Sequence, residues 1–139
     1  MSNEFQVEDR GGLIQKTVEL AAAAAATRGY FCYFSSDRTI QVVTDADAAG
    51  QATKGVFAET LSSADASRKP DRHVGVWVCG KGVIRTDVVA SADVPVVGQT
   101  VYCNNNGEFC ATAANNVAVG SCLAGADGQG LYTIALLVP

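Results

Sequence analysis

The stretch His73-Val74-Gly75-Val76-Trp77-Val78-Cys79-Gly80-Lys81-Gly82-Val83-Ile84-Arg85-Thr86-Asp87-Val88-Val89 decides the fold class. Val74, Val76 and Val78 fall on one side of an extended chain, and Gly75, Trp77 and Cys79 on the other. That period of two is the signature of a half-buried strand. Gly80-Lys81-Gly82 reads as a turn into a second alternating strand, Val83 to Val89.

The same grammar continues to the C-terminus. Pro95 and Gly98 punctuate the approach to a strand over Gln99 to Cys103. Asn104-Asn105-Asn106-Gly107 is the strongest turn signal in the chain, because Asn and Gly tolerate the positive φ of hairpin turns. Glu108 to Thr112 returns, Ala118 to Leu123 follows, and a Gly-rich turn at 125–130 leads into Leu131 to Val138. Short strands spaced by Gly-rich turns predict an all-β domain, a small barrel or sandwich, with at most one short helix.

Toward the N-terminus the signal is more mixed. Ile14, Val18 and Leu20 alternate with polar residues, which predicts a strand over 13–20. Ala21 to Ala26 has high helix propensity and reads as a short helical or turn segment. Tyr30 to Phe34 and Thr39 to Thr44 form a hairpin around a turn at 35–38. Residues 45–54 read as loop, 55–59 as a short strand, and 60–72 as a polar surface loop. Met1 to Gly12 is polar and ends in Gly11-Gly12, so it reads as a flexible arm on a single β-domain of residues 13–139. Phe5 and Val7 would lie on one side of that arm if it is extended.

Composition narrows the function classes. Hydrophobic residues make up 48% of the chain but are mostly Ala and Val, and charged residues make up only 17%. So little charge fits a surface partly covered by partners, and equally a neutral β surface. The net charge of −4 argues against a nucleic-acid footprint. All ten Lys and Arg lie between Arg10 and Arg85, so the residues after Arg85 must rely on packing and backbone hydrogen bonds. The longest apolar run, Leu20 to Ala26, is far short of the roughly 20 residues of a membrane span. No charged-then-apolar leader opens the sequence, so the expectation is a soluble chain made in a cytosol.

Catalytic and metal chemistry find little to work with. The single histidine, His73, stands where a polar loop enters a strand, and no Gly-x-Ser-x-Gly elbow supports a hydrolase triad. Asp45-x-Asp47-x-x-Gly50 resembles the start of a calcium loop, but Val56 occupies the position of the bidentate glutamate. The five cysteines, Cys32, Cys79, Cys103, Cys110 and Cys122, lack the tight spacing of a zinc knuckle. Catalytic, metal and cofactor residues are therefore expected to be none.

Cys103 and Cys110 are the candidate disulfide. A two-residue turn at Asn106-Gly107 would set them directly opposite, within bridging range. A three-residue turn with Gly107 left-handed pairs 104 with 108 instead, and the thiols lose register. Cytosolic synthesis and the odd count favour free thiols that pack as small hydrophobes. Trp77, with Tyr30 and Phe34, offers a sugar-stacking platform as a separate possibility, a carbohydrate-binding module.

The order of short motifs in the C-terminal half carries a resemblance. Val74-Gly75-Val76-Trp77-Val78-Cys79-Gly80-Lys81-Gly82-Val83 comes first, then Val97-Gly98-Gln99-Thr100-Val101-Tyr102. Asn106-Gly107-Glu108, Val119-Gly120 and Leu131-Tyr132-Thr133-Ile134-Ala135-Leu136 follow. This order is similar to the β-tulip capsid decoration, or cement, proteins of tailed phages, and the strand, Ala-rich segment and hairpin over 13–44 also fit. The resemblance implies a β-tulip-like fold and homotrimers on the outer capsid surface of the virion, bound to the major capsid protein and stabilising the head. It also implies that the N-terminal arm adds as a strand to capsid protein, with Phe5, Gln6, Val7 and Glu8 as the binding residues. Another phage structural subunit, of the tail or a head fibre, would share such a module.

Overall fold

A computed structural model describes residues 4–35, 39–44, 55–68, 72–114 and 116–138, the side chains of Arg68 and Cys79 apart. In chain order the elements are β1 (Phe5–Asp9), β2 (Ile14–Leu20), β3 (Phe31–Phe34), β4 (Thr39–Val42), β5 (Gly55–Phe57), α1 (Ser63–Arg68), β6 (His73–Thr86), β7 (Thr100–Cys103), β8 (Phe109–Cys110), β9 (Val117–Ala124) and β10 (Tyr132–Val138). The protein is thus mostly β, with one short helix among the described residues, as its alternation predicts. That helix falls in the stretch expected to be a polar loop. The Ser62 hydroxyl caps it by accepting from the Asp65 amide at 3.1 Å. None of the described helices is long and apolar enough to cross a membrane.

β6 is the spine. Its first half pairs with β2 and β5, and its second half pairs with β1 and β10. On the first side, β5 pairs with β3, β3 with β4, and β4 returns in parallel to β2 through Glu19↔Thr39 and Leu20↔Ile40. These pairings close a ring of β2, β4, β3, β5 and β6, which leaves no free edge among them. On the second side the order is β1–β6–β10–β9–β7–β8, every pair antiparallel. This sheet curls until Phe109 of β8 meets the segment just after β6. The Phe109 amide donates to the Val88 carbonyl at 3.0 Å and its carbonyl accepts from the Ala90 amide at 2.9 Å.

Two cores follow from the alternation. Leu20, Cys32, Ile40, Phe57, Val74 and Val76 pack together, with Ala26 and Ala66 of the flanking segments, as the core of the ring. The opposite faces of the same strands carry Phe31, Tyr33, Val56 and Trp77, which join Ile84, Val101, Phe109, Val119, Ile134, Leu136 and Val138 in a larger core. The curled sheet therefore packs on the outside of the ring. Phe31 and Phe109 meet edge to face at its centre, their ring centroids 4.8 Å apart. Each such side chain removed from water contributes about 1.5–3 kcal/mol. As predicted, Val74 and Val76 share one side of β6 and Trp77 takes the other.

Two local expectations are corrected. Residues 5–9 are not a loose arm: β1 lies along β6 from Phe5↔Thr86 to Asp9↔Val83, and Phe5 is only 8% exposed in the larger core. β1 and β2 together run antiparallel along the whole of β6. Gly11 and Gly12, which resemble the end of a tether, form the corner between them, and the Gly12 amide donates to the Lys81 carbonyl at 2.8 Å.

Gly80-Lys81-Gly82 does not turn the chain either. β6 continues through them as one uninterrupted strand, with the ring on one side of them and the curled sheet on the other. The glycines are there because the corner crosses so closely. A Cβ on Gly80 would overlap the Gly12 carbonyl oxygen, and one on Gly82 would lie 2.7 Å from the Asp9 carbonyl oxygen.

Of the two readings of Ala21 to Ala26, helical or turn, the structure takes the turn, followed by extended chain. Six residues are too few to nucleate a helix on propensity alone. Hydrogen bonds to the rest of the fold win instead, from the Ala21 amide to the Ile40 carbonyl and between Ala26 and Leu61 in both directions, each 2.9 Å. The expected turn at 36–38, the loop at 45–54 with its Asp45 and Asp47, and Lys69-Pro70-Asp71 lie outside the described residues.

Candidate interaction face

The ring has its inner face filled and much of its outer face covered. The curled sheet has one face on the larger core and the other toward solvent. Along β10 the alternation is clear: Ile134, Leu136 and Val138 point inward, which turns Thr133, Ala135 and Leu137 outward. Cross-strand register sets Val83 of β6 beside Ala135, and Ser121 of β9 on its other side. Small residues in the middle make this face shallowly concave. A groove of about 400 Å³ is lined by Asp9, Gly11, Lys81, Val83, Ala135 and Leu137. A second cleft of about 350 Å³ is more polar, lined by Glu4, Gln6, Gln129 and Leu131.

On β6, Arg85 is paired with Glu8 at 3.4 Å and hydrogen-bonded to Asp127. These contacts tie β1 and the 125–130 turn to the same strand. Asp127 also accepts from the Gln129 and Leu131 amides at 2.8 and 3.1 Å, which fixes the turn. The face therefore combines a rigid frame with exposed apolar side chains. Leu137 is 44% exposed and Leu123, the extra residue of a bulge in β9, is 49% exposed. Val94, Val96 and Val97 are also exposed, on the segment that leads to Gly98, whose amide donates to the Cys122 carbonyl at 2.9 Å. Ile14 and Phe34 are the exposed large apolar side chains on the ring strands among the described residues.

The four arm residues divide by side. Phe5 and Val7 pack into the larger core, while Gln6 and Glu8 stay exposed. Among the described residues β1 pairs with β6 alone, so its far edge is the one along which another strand fits. Phe5 and Val7, expected on one side of an extended arm, do share a side, and that side is turned into the protein's own core. The groove floor was missed, although the alternation Thr133, Ala135, Leu137 against Ile134, Leu136, Val138 carries the signal.

The hairpin decides the disulfide question against a bridge. Cys103 pairs with Phe109 and Tyr102 with Cys110, so the two thiols are out of register. The turn is the three-residue form, with Gly107 left-handed at φ 77° and the Asn104 amide donating to the Glu108 carbonyl. Cys32, Cys103, Cys110 and Cys122 are buried thiols. Burial pushes the Cys32 and Cys122 thiols up, and burial together with nearby Asp93 and Glu108 raises Cys110 to about 11. These three remain protonated at neutral pH and act as small apolar side chains.

Trp77 is 9% exposed, with the Arg10 guanidinium 5.5 Å above its ring, so it serves the core and not a sugar platform. His73 opens β6 opposite Glu19 of β2. Among the described residues no three His, Cys, Asp or Glu side chains gather in a metal-binding group. Compared with known proteins, the chain matches no family model and no curated sequence.

Proposed function

We propose that this chain is a virion structural protein, a trimeric decoration or cement protein that sits on the outer capsid surface of a tailed phage and stabilises the head. One observation carries this reading. The motifs that resemble the decoration family fall on β6, the approach to β7, the β7–β8 turn, β9 and β10. All but the first of them lie in the curled sheet, whose outward face is apolar and grooved, and the first runs along the ring half of β6 into that sheet.

The partners are the major capsid protein and two further copies of the chain. Phe5 and Val7 anchor β1 from within, which leaves its free edge and the outward Gln6 and Glu8 to meet a capsid strand. Individually weak contacts become strong when many copies bind one shell.

Native mass measurement and co-sedimentation with heads lacking the protein test the proposal. The expected result is a trimer that pellets with the heads. The Leu137→Glu variant should stay folded, since that side chain faces solvent, and should pellet less. A wild-type monomer left wholly in the supernatant would contradict the proposal.

A further inference from the structure

We propose that Asn106 is a site of spontaneous deamidation whose rate is set by opening of the β7–β8 hairpin. The next residue, Gly107, has no Cβ to shield its backbone nitrogen, and the Asn106 side chain is exposed. The reaction begins when hydroxide takes the Gly107 amide proton. The nitrogen then bonds to the side-chain carbonyl carbon of Asn106, whose amide nitrogen leaves as ammonia. Water opens the resulting five-membered imide at either carbonyl, giving aspartate or isoaspartate.

The folded turn withholds that nitrogen. The Gly107 amide donates to the Asn104 carbonyl at 3.1 Å, and the Gly107 carbonyl accepts from the Phe31 amide at 2.8 Å. Gly107 is itself buried, packed so closely that a Cβ would lie 2.9 Å from the Phe31 carbonyl oxygen. Asn104 braces the loop from the other side, its Oδ1 accepting from the Asn106 and Glu108 amides at 2.9 Å each. Attack therefore requires the hairpin to release both Asn104 and Phe31, a local opening of the kind that exposes single elements of a fold.

The product has structural consequences. Isoaspartate routes the backbone through the former side chain and lengthens a three-residue turn that has no slack. The pairing of Asn104 with Glu108 and the link to β3 would be lost together. Deamidation thus reports hairpin opening and then favours it.

The full-length protein is incubated at mildly alkaline pH, natively and in urea, and the Asn106 peptide is followed by mass spectrometry. Native conversion should be at least about tenfold slower than conversion in urea, because only the open fraction reacts. Asn104→Ala should speed the native reaction several-fold and leave the rate in urea unchanged. Equal native and urea rates for the wild type would overturn the proposal, as would a folded Asn104→Ala protein with the wild-type native rate. Where Asn104→Ala does not fold, the wild-type comparison decides alone.

Discussion

The two halves of β6 do different work, though one strand supplies both. Residues 73–79 belong to a closed ring with its own core, and residues 80–86 belong to a curled sheet with one face in water. Closure spends the ring's backbone edges and inner side chains on itself. Among the described residues the sheet leaves a grooved outer face and the far edge of β1 uncovered. The two halves part at Gly80, the point where the β1–β2 corner crosses.

That division is most easily broken at the crossing. Gly80→Val places a side chain where the Gly12 carbonyl lies and imposes it on a backbone at φ 109°. Loss of more than about 3 kcal/mol is expected in urea denaturation, enough to unfold both halves together. Gly125→Ala is the matched control: nothing lies within 4 Å of the added methyl group. Its stability should stay within about 0.5 kcal/mol of wild type.

The cores give the next largest effect. Ile40→Ala in the ring and Ile134→Ala in the larger core should each cost about 2–5 kcal/mol, both side chains being fully buried. Because β6 runs through both, each variant should still melt in one transition, seen alike by far-UV and Trp77 signals. Two separated transitions would show that the halves are independent domains. Phe5→Ala should cost about 3 kcal/mol, whereas Glu8→Ala, on the same strand but exposed, should cost under about 1 kcal/mol.

A smaller effect, shared by the two halves, depends on pH, because Cys32 of the ring and Cys110 of the curled sheet both hold their protons above the usual thiol range. Cys110, in the curled sheet, holds its proton to about pH 11, against an ordinary value of 9.0. Between those values the unfolded chain has lost a proton that the folded one keeps, so stability falls as pH rises from 9 toward 11. Below 9 this contribution is fully present. Denaturation curves at pH 8 and pH 10 should show the loss, and Cys110→Ala should reduce it.

Much of the sheet was legible in the sequence because alternation records which face is buried. Val74, Val76 and Trp77 sort into their two cores as their positions predict. Glycine was the main source of error, since one residue type serves three needs. At Gly107 it supplies a left-handed turn, which sequence foresees. At Gly80 and Gly82 it admits a crossing strand, and at Gly11 and Gly12 it makes that strand's corner. These last uses depend on a partner distant in the chain, so local reading turns them into a turn and a tether. The Ala run stayed open between helix and turn for the same reason: its hydrogen-bond partners, Ile40 and Leu61, are invisible from the run itself. The outward groove was half visible, as Ala135 and Leu137 on the polar phase of β10.

Imaging of phage heads with the chain bound tests the central claim most directly. The expected density is a threefold cluster on the outer shell, with the β1 edge or the face of Val83, Ala135 and Leu137 against capsid protein. Heads that stay bare at saturating protein, or density inside the shell or on the tail, would contradict it.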